Sequence, residues 1–128
     1  TSVVVKFEPT IDNSWDPTKY KNQHEIRIWN KAKSIDDLDL FGSILDYDDD
    51  GKWIVMKEYI PVYASKPQRS LSRDYLIERN CGHINNLKKK FNSRNWYEQD
   101  WKNGNVGYDH REECPVLIDY GSFTKYID

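Results

Sequence analysis

Acidic and amide side chains lie at the ends of the two strands in the last predicted hairpin of the chain. Asp100 precedes Asn105 by five positions, at the start of one strand-like run, and Asp119-Tyr120-Gly121 follows the next such run. Carboxylate and amide oxygens are the ligands that a hard cation such as Mg²⁺ prefers, and a carboxylate can also accept a hydrogen bond from an attacking hydroxyl. Each residue type is ordinary by itself, but this order along the chain predicts a chemical site.

The order resembles the catalytic loop and the Asp-Phe-Gly motif of the protein-kinase-like phosphotransferases, with Tyr120 in the place of the phenylalanine. Near the N-terminus, Val3-Val-Val-Lys6 resembles the Val-Ala-Ile-Lys strand of that family, and the helix after it offers Glu25. Glu25 comes one turn before Ile28 and Trp29, so the spacing predicts that its carboxylate projects from the packed side of the helix toward the sheet.

The resemblance implies a role for each of these positions in ATP-dependent phosphoryl transfer. Lys6 would hold the α- and β-phosphates of ATP, and pairing with Glu25 would fix its flexible stem. Asp119 and Asn105 would bind Mg²⁺. Asp100 would orient the attacking hydroxyl in line with the γ-phosphorus, and most of the rate would come from positioning and charge stabilisation.

The hairpin over residues 41–60 resembles the strands that lead into the kinase hinge. Backbone groups at Glu58, Tyr59 and Ile60 would then receive the adenine, although Lys57 is an extra residue that would shift these contacts by one position. The function implied is a minimal phosphotransferase that binds ATP and Mg²⁺ and phosphorylates a hydroxyl of a protein or small molecule.

Departures from the family pattern favour an alternative function. Only five residues precede Lys6, where the family has a glycine-rich loop, and only seven follow Gly121, where it has the substrate-binding helices. Glu98-Gln99 replaces the usual His-Arg, which removes a residue that ties the catalytic loop to the Asp-aromatic-Gly segment. Such trimmed chains resemble small bacterial or phage proteins. The alternative is an inactive pseudokinase-type module that engages a partner protein. Its anchors would be Trp96, Tyr97 and Trp101, although we expect at least two of the three to pack in the core.

Two plainer interpretations of the charged residues stay open. In one, Lys6 and Glu25 are solvated surface charges, Asp100 and Gly104 are part of a loop, and Asp119 is a turn former at a strand end. In the other, a basic stretch contacts nucleic acid through Arg69, Arg73, Lys88, Lys89, Lys90 and Arg94. The net charge of −2 disfavours nucleic acid as a partner, and a charge run at a helix end typically complements the helix dipole.

A further candidate site consists of two cysteines, Cys81 and Cys114, with His83 and His110 nearby. Zn²⁺ accepts these ligands, but paired ligands of structural zinc sites are typically separated by about two to four residues, and the gap between Cys81 and His83 is shorter. We therefore expect two small buried or half-buried thiols, with a metal at these positions left open.

Composition bounds the class of protein. A chain of 128 residues suffices for one domain with its own core, and 5 Trp, 9 Tyr and 4 Phe are untypical of a disordered chain. No apolar run approaches the roughly 20 residues of a membrane span, and the N-terminus lacks the residue order of a signal peptide. These features predict a cytoplasmic protein without a membrane partner.

The pattern of elements predicts an α+β chain with a reduced protein-kinase-like fold. In chain order we expect a strand over 2–8, a helix from Asp16 to Lys33, a short helical turn after a cap at 34–37, a hairpin of strands 41–47 and 52–60 around the turn 48–51, a linker over 61–68, a helix over 72–91, and a smaller hairpin of strands 105–109 and 114–120. Residues 1–128 would form a single kinase-like domain. Residues 1–60 would be its sheet-and-helix lobe, 61–68 its hinge, and 69–128 a stunted helical lobe with a short hairpin.

Overall fold

The computed structural model describes residues 2–8, 21–62, 73–101, 103–121 and 123–128, and the side chains of the second helix from Gly82 onward. Over these residues the chain is a small α+β protein with two α-helices and small antiparallel sheets. The elements are β1 (Val3–Phe7), α1 (Lys21–Ser34), β2 (Ile44–Tyr47), β3 (Trp53–Lys57), β4 (Ile60–Pro61), α2 (Arg73–Ser93), β5 (Trp96–Tyr97), β6 (Val106–Asp109), β7 (Cys114–Leu117) and β8 (Lys125–Tyr126). Short 3-10 turns occupy Leu38–Leu40 and Asn103–Asn105.

The predicted antiparallel sheet of three strands is confirmed, and its strand order is β1-β3-β2. The turn between β2 and β3 depends on Asp48 and Gly51. The Asp48 carboxylate accepts a hydrogen bond from Lys52 N–H at 3.1 Å. Gly51 has a φ of 77°, a left-handed conformation that glycine adopts without strain. The predicted turn is confirmed, and it joins β2 to β3 as an antiparallel pair.

Helix α1 packs its apolar face, with Ile26, Ile28 and Ala32 buried, against this sheet and the rest of the core. Asn22 joins the helix to β1, because its Nδ2 donates to the Lys6 carbonyl at 3.2 Å. The helix is therefore held to the strand at the level of Lys6. Its predicted start at Asp16 lies outside the described residues.

The strand predicted over 52–60 is wrong as a single element. It ends at Lys57, and after Glu58 and Tyr59 the chain joins a second sheet of order β4-β6-β7. Val62 N–H donates to Val106 O. The backbone groups of Ile60 and Val62 therefore point toward β6, and those of Pro61 point away from it. Pro61, which has no N–H, occupies a position where none is needed, on an edge strand. The connection between the sheets thus lies before the predicted linker, of which residues 63–68 are outside the described part.

A single aromatic core joins the two sheets. The ring of Phe41 contacts Trp96, Tyr120 and Phe91 at centroid distances of 4.8, 4.9 and 5.4 Å. Phe41 also forms a parallel β-bridge with Leu117 of β7. The first residues of the predicted strand 41–47 therefore connect the first sheet to the second. The strand itself begins at Ile44.

The second half of the chain follows the prediction in its larger elements. Helix α2 and the hairpin of β6 and β7 are confirmed, although the predicted helix start at Ser72 lies outside the described residues. The pairing of β5 with β8 was not predicted, because two-residue strands are too short to show a period. Among the described helices, none is long and apolar enough to cross a membrane.

Candidate functional site

A partly buried ion pair joins β1 to α1. Lys6 Nζ lies 3.0 and 3.1 Å from the two carboxylate oxygens of Glu25, whose side chain is only 1% exposed. Lys6 is on the face of β1 that looks toward α1, and Glu25 is on the packed side of the helix, as its spacing predicts. The interpretation of Glu25 as a solvated surface charge is therefore wrong, and Lys6, which is 30% exposed, is its ion-pair partner.

Asp119 completes this group from the second sheet. Its Oδ1 lies 3.7 Å from Lys6 Nζ, and its side chain is 54% exposed. The next two residues fix its place. Tyr120 is buried and donates its hydroxyl to the Gly42 carbonyl at 3.0 Å. A Cβ at Gly121 would lie 2.7 Å from the Lys21 carbonyl oxygen, so only glycine allows this approach to α1.

The environment of Glu25 opposes its ionisation. Burial raises the pKa of Glu25 to about 7, against the attraction of Lys6 and a hydrogen bond with the Tyr120 backbone, and the charge of Asp119 raises it further. Lys6 therefore lies between one carboxylate that is partly protonated at neutral pH and one that faces solvent. A cation bound at Asp119 would weaken the repulsion that Asp119 exerts on Glu25.

Asp100 and Asn105 are brought together by their loop. Asn105 Nδ2 donates to the Asp100 carbonyl at 3.1 Å, which leaves the Asn105 side-chain oxygen available as a ligand. Ile118 N–H donates to the Asn105 carbonyl at 2.8 Å, one residue before Asp119. The loop is thus anchored beside the strand end that carries Asp119.

A cavity of about 220 Å³ opens beside Lys6. Lys6 and Asp119 lie among its polar lining, together with Glu58 and Tyr59, and its apolar walls include Val4 and Ile118. Pockets that enclose a drug-sized ligand typically measure about 300–1,000 Å³. The cavity is therefore large enough to enclose only part of a nucleotide.

Tyr59 forms one wall of this cavity and was predicted only as a backbone contact. Its hydroxyl oxygen accepts a hydrogen bond from Ser43 N–H at 3.0 Å. Its side chain lies against Gly42 and Gly107, and a Cβ at Gly107 would lie 2.7 Å from the Tyr59 Cβ. Two glycines distant in sequence thus make room for one aromatic ring, a relation that the order of residues alone does not reveal.

The backbone groups of Glu58, Tyr59 and Ile60, the predicted adenine contacts, differ in their hydrogen bonding within the protein. Glu58 N–H donates to the Ser2 carbonyl at 3.0 Å, and Ile60 pairs with Tyr108 in the β4–β6 ladder. Among the described residues, nothing engages the backbone N–H of Tyr59. Lys57 belongs to β3, paired with Val3, so the extra residue predicted before the hinge extends the strand.

Glu98 joins the Asp100 loop to Thr124. Its replacement of a histidine was predicted to remove a tie between this loop and the Asp119-Tyr120-Gly121 segment. In the structure Glu98 is buried, accepts a hydrogen bond from Asp100 N–H at 2.7 Å, and accepts another from the Thr124 hydroxyl. Glu98 therefore holds the loop through Thr124, three residues beyond Gly121, and not through the Asp119-Tyr120-Gly121 segment.

The aromatic anchors proposed for a partner lie mostly in the interior. Trp96 is buried, and its indole N–H donates to Asp37 at 2.9 Å, while Trp101 packs against the core. Tyr97 is exposed beside Lys125. The expectation that at least two of the three pack in the core is confirmed.

In the basic stretch, Arg94 has acidic partners. Its guanidinium lies 2.7 Å from Asp39 and 3.4 Å from Asp37, and the hydrogen bond to Asp39 raises its pKa. Lys88 lies over the ring of Trp101, 5.9 Å from its centre. Arg94 therefore joins two parts of the fold, while Arg69 and the side chain of Arg73 lie outside the described residues.

The cysteine and histidine positions do not form a metal cluster in the described part of the chain, where no group of three or more His, Cys, Asp or Glu side chains could hold an ion. Cys114 is a half-buried free thiol whose pKa is raised by burial. The imidazole rings of His83 and His110 both contact the ring of Tyr108, with centroid distances of 4.8 and 4.9 Å. The side chain of Cys81 lies outside the described residues.

No protein-family model, no curated protein and no solved structure matches this chain. The geometry around Lys6 is therefore the basis on which a function can be proposed.

Proposed function

We propose that the chain is a minimal kinase-like phosphotransferase that binds ATP and Mg²⁺ and transfers the γ-phosphoryl group to a hydroxyl of a protein or small molecule. The observation that carries the proposal is the position of Lys6. Its Nζ lies between the buried carboxylate of Glu25 and the exposed carboxylate of Asp119, beside the cavity.

Lys6 is suited to hold phosphates. Glu25 fixes the ammonium group at one depth, so a bound polyphosphate would meet a charge that is already oriented. The Lys6 side chain would then lose little rotamer freedom when a polyphosphate binds. Glu25 is inaccessible and would remain the partner of Lys6, whereas the exposed Asp119 would turn to the metal.

Asp119 and the side-chain oxygen of Asn105 are the groups that would hold Mg²⁺. This cation is typically bound by one or two protein oxygens together with substrate phosphates, so a small donor set fits. When bound, the metal would neutralise charge that develops on the transferred phosphoryl group.

Asp100 would accept a hydrogen bond from the attacking hydroxyl. Its backbone carbonyl is held by Asn105, so the base and the metal ligand belong to one fixed loop. Tyr59 lines the cavity beside Lys6, and its backbone N–H is the donor suited to the adenine ring.

One observation favours the alternative, an inactive pseudokinase-type module. The edge strand β1 exposes Val3, Val5 and Phe7 on the sheet face that points away from Lys6, and Phe7 is 77% exposed. Exposed apolar side chains on a strand that pairs on one side only, among the described residues, suit a protein partner. This surface replaces the aromatic anchors that lie in the core.

The two functions are separated by phosphoryl transfer from Mg-ATP, measured as release of inorganic phosphate and as labelling of added hydroxyl acceptors. We expect Asp119→Ala to lower the rate at least 100-fold, because it removes the metal ligand. Asp49→Ala, a matched change of an exposed aspartate in the β2–β3 turn, should leave the rate unchanged. Equal rates from the wild type and Asp119→Ala would overturn the proposal. Binding of Mg-ATP without turnover would favour the module.

A further inference from the structure

Glu98 and Thr124 form a buried polar pair next to the proposed site. The β5–β8 register pairs Tyr97 with Lys125, which places Glu98 directly opposite Thr124. Glu98 is 7% exposed and Thr124 is 1% exposed. A carboxylate at this depth is costly unless its oxygens are hydrogen-bonded, so its partners determine what it does.

Each oxygen of Glu98 has its own donor. Asp100 N–H donates to Oε1 at 2.7 Å, and the Thr124 hydroxyl donates to Oε2. The Thr124 carbonyl in turn accepts a hydrogen bond from His24 Nε2 at 2.8 Å. Because a carbonyl can only accept, His24 Nε2 carries the proton. A continuous chain of hydrogen bonds thus runs from α1, one residue before Glu25, to the backbone of Asp100.

The backbone of Asp100 is consequently held on both sides. Its N–H is bound by Glu98, and its carbonyl is bound by Asn105 Nδ2 at 3.1 Å. Two fixed backbone groups restrict the directions in which the Asp100 carboxylate can point. Hydrogen bonds to a charged acceptor are also stronger than those between neutral groups.

We propose that Glu98 is a positioning residue, which sets the orientation of Asp100 by holding its backbone N–H while Thr124 holds Glu98. This inference rests on the proposed function, in which Asp100 orients the attacking hydroxyl. Glu98 is buried and does not line the cavity beside Lys6. A displacement of a reacting group by about 1 Å can cost about 100-fold in rate, which sets the size of the effect expected when the tie is lost.

The kinetic test compares Glu98→Ala with Glu98→Gln. Glutamine keeps both bonds, because its amide oxygen can accept from Asp100 N–H and its amide nitrogen can donate to the Thr124 oxygen. With Mg-ATP and release of inorganic phosphate as the assay, Glu98→Ala should lower kcat about 10- to 100-fold. KM for ATP should stay within about twofold, and Glu98→Gln should restore kcat to within about threefold of the wild type. Thr124→Val, which keeps the shape of the side chain but removes the hydroxyl, tests the same tie if Glu98→Ala does not fold.

A second readout is independent of turnover. Hydrogen exchange of the Asp100 amide, followed by NMR, should be at least tenfold faster in Glu98→Ala than in the wild type and in Glu98→Gln. Equal exchange in all three would overturn the inference, as would a loss of kcat in Glu98→Gln while the Asp100 amide stays protected. A wild type without turnover would refute the proposed function, and the exchange contrast would still decide whether Glu98 positions Asp100.

Discussion

The buried carboxyl of Glu25 makes the stability of the protein depend on pH in a direction opposite to that of an ordinary salt-bridged acid. Burial raises its pKa from 4.5 to about 7 in the folded state. Between these values the folded protein retains a proton that the unfolded chain has released. The free energy of unfolding contributed by this group therefore falls as pH rises from about 4.5 to about 7.

The size of the effect follows from the shift. One pKa unit corresponds to about 1.4 kcal/mol, so a rise from 4.5 to about 7 corresponds to about 3 kcal/mol. Glu25→Gln imitates the protonated carboxyl at every pH. The stability of Glu25→Gln relative to the wild type should therefore increase by about 3 kcal/mol between pH 4.5 and pH 8.

Urea denaturation followed by tryptophan fluorescence at several pH values measures this difference. Glu112→Gln is the matched control, because Glu112 is exposed, and its stability relative to the wild type should not change with pH. A difference between Glu25→Gln and the wild type that stays constant from pH 4.5 to pH 8 would refute the account of a buried carboxyl opposed by desolvation.

The remaining predictions concern the packing that holds the site. Tyr120→Phe leaves the Gly42 carbonyl without its buried donor and should lower the free energy of unfolding by about 1–3 kcal/mol, measured by urea denaturation; an unchanged midpoint would contradict the hydrogen bond. Gly107→Ala should destabilise the protein and, because Tyr59 must move, weaken Mg-ATP binding in calorimetry. Gly82→Ala is its control, since a Cβ there meets nothing within 4 Å, and alanine should stabilise α2 by up to about 1 kcal/mol. Destabilisation by both changes to the same extent would contradict the close contact with Tyr59.

Features with a strong local signal could be predicted from the sequence. The β-branched run of β1 and the turn before Lys52 fixed the first sheet, and helical spacing placed Glu25 on the packed face. Spacing predicts only that Glu25 points toward the sheet, and its pairing with Lys6 is what the resemblance to the kinase-like family implies. The proximity of Asp119 to Lys6 could not be predicted from helix or strand periodicity. Only the order of the kinase-like motifs along the chain indicated it.

Features that depend on distant contacts could not be predicted. The division between β3 and β4 requires the partner strand β6, which lies more than 40 residues further along the chain. Tyr59 enters the cavity only because Gly42 and Gly107 are both small. The sequence showed only that Glu98 stands where the family has a histidine. Its hydrogen bond with Thr124, 26 residues away, could not be predicted from that replacement.

The central claim is that Lys6, held by Glu25 and close to Asp119, binds the phosphates of a nucleotide with Mg²⁺. Isothermal titration of the wild type and of Lys6→Met with ATP, in the presence and absence of Mg²⁺, tests it most directly. Glu25 can take up a proton in Lys6→Met, so the fold should survive, as circular dichroism would show. We expect one site in the wild type, tighter with Mg²⁺. Because a hydrogen bond to a charged group contributes about 1.5–3 kcal/mol, Lys6→Met should weaken binding roughly 10- to 100-fold. No binding by the wild type, or equal affinity in Lys6→Met, would contradict the account.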